Sequence, residues 1–217
     1  MAKTRTLTLA SQDLLGRIGT QKTTREYCDK EEIYSQGDAA NAMFYVESGH
    51  VKLTVASKGG RKAVLAILGK GDFFGENCLL RNSRRTTTAT ALRHSTLGRV
   101  EKSTLSGLIH REPAFSNRLV FDLLSRIVRI QEDFTDQMLN SSERRLARLL
   151  LRLNNFNKHS ATDPAVLRIS QETLAEMVGT TRSRVSYFMN RFREMGLINY
   201  NGSLQVHRAL RTFLLHE

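Results

Sequence analysis

The stretch ISQETLAEMVGTTRSRVSYFMNRFREMGLI, residues 169–198, decides the reading of this chain. Ser170 stands before QETLAEMV as a helix N-cap, with Thr173 where a capping box carries Glu or Gln. Leu174, Ala175 and Val178 make the inner face of that helix. Gly179 then supplies a tight turn, because a residue at positive φ ends a helix most easily as glycine. Thr180 or Thr181 caps a second helix, RSRVSYFMNRFREM. Its inner stripe is Val185, Phe188, Met189 and Phe192, at the i, i+3, i+4, i+7 spacing of one helical face. The opposite face near its N-terminus presents Arg182, Ser183, Ser186 and Tyr187, which are polar or basic and include no carboxylate.

Two short helices joined this way predict a helix-turn-helix whose second helix enters a major groove N-terminus first. Arg182 has the planar fork that fits guanine O6 and N7. Ser183 and Ser186 suit bases or phosphates. Tyr187 offers its ring to a thymine methyl and its hydroxyl to a phosphate. Thr181 and the first amides of the helix favour a phosphate. Arg184 and Arg191 point more sideways, as backbone contacts do. Downstream, GLINYNGSLQVH reads as a β-hairpin around Asn201-Gly202, a wing beside the helix-turn-helix, with His207 and Arg208 near the DNA backbone.

Charge points the same way. The chain has 217 residues and a net charge of +12. Residues 141–217 hold twelve Lys/Arg and six Asp/Glu, so half of the excess sits in about a third of the chain. A basic excess concentrated in one segment suits a polyanionic partner, here double-stranded DNA.

Upstream of that segment, Ser141-Ser142-Glu143 restarts a helix that continues as a basic, amphipathic run through ERRLARLLLRLNNF. NNFNKHSATDPA reads as a loop and VLRI as a short strand. From Ala114 to Asn140 there is neither Gly nor Pro. Phe115, Leu119, Leu123, Ile127, Ile130, Phe134 and Met138 recur there every three or four residues. This predicts one long helix of about 25 residues, about 38 Å, whose stripe suits pairing with a second copy as a coiled-coil homodimer. Earlier still, from Glu31 to about Val100, short alternating runs (MFYVES, GHVKLTVA, GRKAVLAIL, GKGDFFGE, TTTATAL, STLGRV) are separated by glycines. They predict a small β-barrel or sandwich. Residues 1–21 are polar apart from a Leu9/Leu14/Leu15 cluster. The expected organisation is 1–112 as a β-domain with an N-terminal lead, 113–140 as the long helix, and 141–217 as the DNA-reading domain, an α+β chain.

Several classes of function are disfavoured. No run of eighteen apolar residues exists, and the N-terminus lacks the apolar core of a secretory signal, so a cytoplasmic protein with no membrane contact is expected. Cys28 and Cys78 are too few for a disulfide framework, a Cys-rich metal site or an iron–sulfur cluster. Cys78 and His94 make no convincing haem-ligand pair. The six histidines are scattered, and no Ser/His/Asp set, H-E-x-x-H or Walker loop is present, so no catalytic residues are expected.

The order of β-barrel, long helix and winged helix-turn-helix resembles the CRP/FNR family of bacterial regulators, the cyclic-AMP receptor proteins and their relatives. The likeness runs from about Lys30 to Val206. Besides residues 169–198 it rests on GKGDFFGENCLLRNSRRTTTATA, which looks like the family's phosphate-binding cassette. Gly37-Asp38, FYVESGHVKL and the Gly69/Gly71 pair support it. The cassette makes physical sense alone. Amides beside Gly75 can approach a phosphate closely, Arg85 can pair with a phosphodiester through its fork, and Thr86 can donate a hydroxyl. The resemblance implies a cyclic nucleotide effector, cyclic AMP or cyclic GMP, held by Gly75, Glu76, Asn77, Arg85 and Thr86, with Glu76 on a ribose hydroxyl. Arg84 takes the place of Arg85 if the loop is shifted by one.

The resemblance further implies a homodimer on a palindromic operator, allosteric control, and RNA polymerase as a partner. The sequence departs from the cyclic-AMP pattern at two places. Ile130 and Gln131 stand where those members present Thr and Ser to the purine, so only Gln131 offers a polar group to a base edge. On the reading helix, Ser183 and Tyr187 replace a Glu and an Arg, so an operator other than the usual TGTGA half-site is expected. A regulator that binds DNA without an effector, or one that senses another anion, stands beside the cyclic nucleotide reading.

Overall fold

The described part of the first unit has eight strands, β1 (Thr23–Tyr27), β2 (Glu32–Tyr34), β3 (Ala42–Ser48), β4 (Val51–Ala56), β5 (Lys62–Leu68), β6 (Phe73–Phe74), β7 (Thr88–Ala91) and β8 (Ser95–Glu101), the last six formed by the glycine-punctuated runs. They make two four-stranded antiparallel sheets, ordered β1-β8-β3-β6 and β2-β7-β4-β5, the strand order of a jelly roll. These observations come from a computed structural model that describes residues 22–159, 169–200 and 204–215. The chain divides into two units, Met1–Arg126 and Ile127–Glu217.

In the first unit β3 is buried along both faces, which explains its continuous apolar run. Ala42, Phe44 and Val46 point between the sheets with Val51, Leu53, Phe74, Ala89 and Leu97. Met43 and Tyr45 point outward and pack with Phe73, Cys78 and Val100 against helical residues Leu105, Leu108, Phe115 and Leu119. Adjacent Phe73 and Phe74 divide between the two clusters by the alternation of a strand. A helix not foreseen in the sequence, α1 (Lys102–Arg111), supplies Leu105 and Leu108. β1 also lies upstream of the stretch read as β.

The long helix is α2 (Pro113–Leu139). Phe115 and Leu119 are buried, and Leu123 packs at the edge of the outer cluster. The rest of its apolar surface is exposed: Val120, Phe121 and Leu124 in the first unit, and Ile127, Val128, Ile130, Phe134, Met138 and Leu139 in the second.

The second unit continues with α3 (Ser142–His159). Ser141 caps it, its Oγ accepting from the Arg144 N–H at 3.3 Å. The expected loop NNFNKHSATDPA is a loop at most in part. The helix runs on to His159, since 154–159 holds neither Gly nor Pro to stop it. The strand expected at VLRI lies outside the described residues except for Ile169, which is not in a strand. Then come α4 (Gln171–Val178), α5 (Arg182–Glu194), the antiparallel pair β9 (Ile198–Tyr200) and β10 (Leu204–Val206), and a short α6 (Ala209–Leu215) that the sequence did not announce. The Asn201-Gly202 turn of the hairpin, like the Leu9/Leu14/Leu15 cluster, lies outside the described residues. Among the described residues no helix is long and apolar enough to cross a membrane, and no group of three or more His, Cys, Asp and Glu is placed to hold a metal ion.

Candidate functional site

In the first unit the cassette is built around one buried cation. Gly75 sits at φ 78, ψ 16, in the left-handed region, and opens a short 3-10 turn over Glu76–Leu79. The first N–H groups of that turn have no acceptor within it. Arg85 lies ten residues on and is only 4% exposed. Its Nη1 donates to the Gly75 carbonyl at 3.0 Å and to Asn77 Oδ1 at 3.4 Å. Its Nη2 donates to the Ala42 carbonyl at 2.7 Å. The plane of the guanidinium rests on aromatic rings, with its carbon 4.3 Å from the Tyr34 centroid and 5.5 Å from that of Phe44. Nε is buried with no partner among the described residues.

The main chain at Arg85 is clamped as well. Its N–H donates to the Asp38 carbonyl, and its carbonyl accepts from Gly37, both at 2.8 Å. Gly37-Asp38 therefore holds the residue that the cassette uses.

No carboxylate among the described residues pairs with Arg85. Glu76, next to it in the cassette, bonds instead to Arg126 of α2 at 2.6 Å. Arg126 also donates to the Phe73 carbonyl. Burial lowers the Arg85 pKa, with Tyr34 and Cys78 opposing the shift. Burial likewise pushes the Tyr34 phenol up, against a hydrogen bond with Thr87 and the charge of Arg85. A buried cation held only by carbonyls and rings is incompletely compensated, and an anion at its free edge would complete it.

Of the expected ligand residues, Gly75, Glu76, Asn77 and Arg85 converge on this node. Thr86 is exposed beside it. Asn77 also donates Nδ2 to the Arg84 carbonyl at 2.7 Å, so its amide shapes the loop. Arg84 is exposed and donates to the Gly37 carbonyl at 2.9 Å, away from the node that Arg85 occupies. Gln131 belongs to the second unit, where it is exposed. Tyr34 and Arg126 escaped the sequence reading. Each meets the cassette from a distant stretch of chain.

The second unit carries the helix-turn-helix as expected. Ser170 Oγ accepts from the Thr173 N–H at 3.1 Å, and Thr181 Oγ1 from the Arg184 N–H at 3.3 Å. Thr181, not Thr180, is thus the cap of α5. Gly179 stands at φ 70. Leu174, Ala175, Val178, Val185, Phe188, Met189 and Phe192 are all buried. The four inner side chains of α5, at about 1.5–3 kcal/mol each, outweigh its cap at about 1 kcal/mol.

The outer face is open. Thr181, Arg182, Ser183, Arg184 and Tyr187 are exposed and Ser186 is half-buried. Neither the Arg182 nor the Arg184 guanidinium has a partner among the described residues. Gln171, which the sequence reading passed over, joins Arg182, Ser183 and Ser186 around one cleft. Arg191, expected at the DNA backbone, has a partner within the fold. It is tied to Glu143 of α3 at 3.1 Å and braces the fold. Its position one turn beyond the open face brings it over α3.

Comparison with known proteins agrees in both units. The Cyclic nucleotide-binding domain family matches residues 24–112, and the Crp-like helix-turn-helix domain family matches residues 144–211. The Cyclic AMP receptor protein of Thermus thermophilus is 29% identical over 186 residues, 85% of this chain and 84% of that one. The CRP-like cAMP-activated global transcriptional regulator of Mycobacterium tuberculosis is 26% identical over 174 residues, 78% of this chain and 77% of that one. In fold, the chain resembles the c-di-GMP responsive global regulator CLP of Xanthomonas campestris. The TM-score is 0.75 at 22% identity, over 90% of this chain and 98% of that one. A jelly roll with a cyclic nucleotide-binding cassette and a Crp-like helix-turn-helix, both matched in sequence, place this chain in the CRP/FNR family of DNA-binding transcription regulators.

Proposed function

We propose that the chain works as a homodimer whose hold on a palindromic operator is controlled by a cyclic nucleotide, cyclic AMP or cyclic GMP, bound at the Arg85 node. The observation that carries this reading is the buried Arg85 guanidinium, presented beside Gly75 with no carboxylate partner among the described residues. In it, Arg85 and Thr86 take the phosphate with the amides at Gly75 and Asn77, and Glu76, steadied by Arg126, takes a ribose hydroxyl.

The exposed stripe of α2 supports the dimer. Phe121, Leu124, Ile127, Ile130, Phe134 and Met138 are each 50% or more exposed, an apolar surface that a second α2 would cover. The segments 1–112, 113–140 and 141–217 then serve as sensor, dimer seam and DNA reader. Arg182 and Ser183 read base edges, while Thr181, Arg184, Ser186 and Tyr187 hold phosphates or a thymine methyl. Two such helices require half-sites about 34 Å apart. RNA polymerase is the partner through which a DNA-bound dimer of this kind acts.

Calorimetric titration of the full-length protein with cyclic AMP and cyclic GMP tests the reading. One nucleotide binds, and Arg85→Ala weakens it on the order of 100-fold, the worth of a buried charge-assisted pair. No binding of either nucleotide favours a regulator active without an effector. One observation points that way: Arg85 already donates to the Ala42 and Gly75 carbonyls.

A further inference from the structure

One guanidinium in the second unit serves two helix ends at once. The last carbonyls of any α-helix lack intrahelical donors and carry the negative end of its dipole. Arg145, in the first turn of α3, donates through Nη1 to the Gln137 carbonyl at 3.2 Å and the Asn140 carbonyl at 2.9 Å, at the end of α2. Through Nε it donates to the Val178 carbonyl at 3.1 Å, the last residue of α4. That carbonyl immediately precedes Gly179, the turn of the helix-turn-helix. The turn is approached from α2 as well, since a Cβ on Gly179 would lie 2.9 Å from Gln137 Nε2.

Two further arginines of α3 reach back along α2, Arg148 to Asp136 and Arg152 to Asp133. The second of these pairs is half-exposed and worth little by itself. Arg145 differs because its partners are main-chain carbonyls at two separate helix ends, with no other donor among the described residues.

We propose that Arg145 is a positioning residue for DNA reading. By capping α2 and α4 together it fixes the Gly179 turn on the end of the long helix, and so sets the pose of α5 and Arg182. The residue itself does not touch DNA.

The test is fluorescence anisotropy of full-length wild type, Arg145→Ala and Arg145→Lys on two duplexes. One is selected by the wild type from random-sequence DNA, and the other is non-specific. Both are measured over a salt series, with the cyclic nucleotide condition in which the wild type selects best. Arg145→Ala should lose about tenfold on the selected duplex and less than twofold on the non-specific one, with the salt slope unchanged. Arg145→Lys keeps the charge without the fork and should recover little. Should Arg145→Ala fail to fold, Arg145→Lys decides by the same ratio, with a loss of several-fold confined to the selected duplex. Equal losses on both duplexes, as a fold defect would give, overturn the proposal. So does a salt slope smaller by about one, which marks a phosphate contact, or no loss at all.

Discussion

The proposed sensor node and the proposed DNA-reading face hold arginine in opposite ways. Arg85 is buried, bonded to three acceptors and stacked on two rings. Arg182 and Arg184 stand exposed with no partner among the described residues. The first has its conformational entropy spent during folding, so a small ligand with few contacts would meet a preorganised cation. On the proposed reading the second would spend that entropy only on DNA, where a large polyanionic surface supplies many contacts. A site for a small anion and a site for a long one thus differ in where the ordering cost falls.

The largest expected effect falls on the proposed dimer seam, which lies between the two regions in sequence. Phe134→Asp puts a charge into the exposed stripe of α2. If the stripe is the dimer seam, light scattering should show a monomer, and operator affinity should fall by 100-fold or more as the second half-site is lost. A dimer that persists would place the seam elsewhere.

On the reading face, Arg182→Ala should cost about 1–3 kcal/mol on the selected operator and relax preference at one base pair per half-site. A uniform loss across sequences would instead make Arg182 a phosphate contact. The smallest effect probes the rigidity of the node. A Cβ at Gly75 would lie 2.6 Å from Arg85 Nη1, at a backbone φ of +78. Gly75→Ala should therefore weaken nucleotide binding several-fold by displacing the guanidinium, while DNA affinity without nucleotide stays within about twofold. If nucleotide affinity is unchanged, Arg85 is less tightly preset than its bonds imply.

The same contrast explains what could be read in advance. The helix-turn-helix was legible because Ser170, Gly179, Thr181 and the inner stripe act within a span of about 25 residues, where cap, turn and periodicity are local signals. The jelly roll was legible from its glycines and alternation, although β1 and α1 were not. TTREY is exposed on four of its five residues, and KSTLSGLIHR buries only Leu105 and Leu108. At the node, Gly75 and Arg85 could be named from the cassette. Tyr34 beneath Arg85, Arg126 on Glu76 and Arg145 on Val178 could not. Each joins elements thirty or more residues apart, and such pairings come from topology, to which no local rule points.

The most direct test of the account is the affinity of the wild-type protein for its selected operator, by fluorescence anisotropy, as cyclic AMP or cyclic GMP is titrated, with Arg85→Ala alongside. One nucleotide should change operator affinity by about 5- to 150-fold in the wild type, a coupling usual between two sites, and leave Arg85→Ala unmoved. An operator affinity independent of both nucleotides, and equal in wild type and Arg85→Ala, would contradict it.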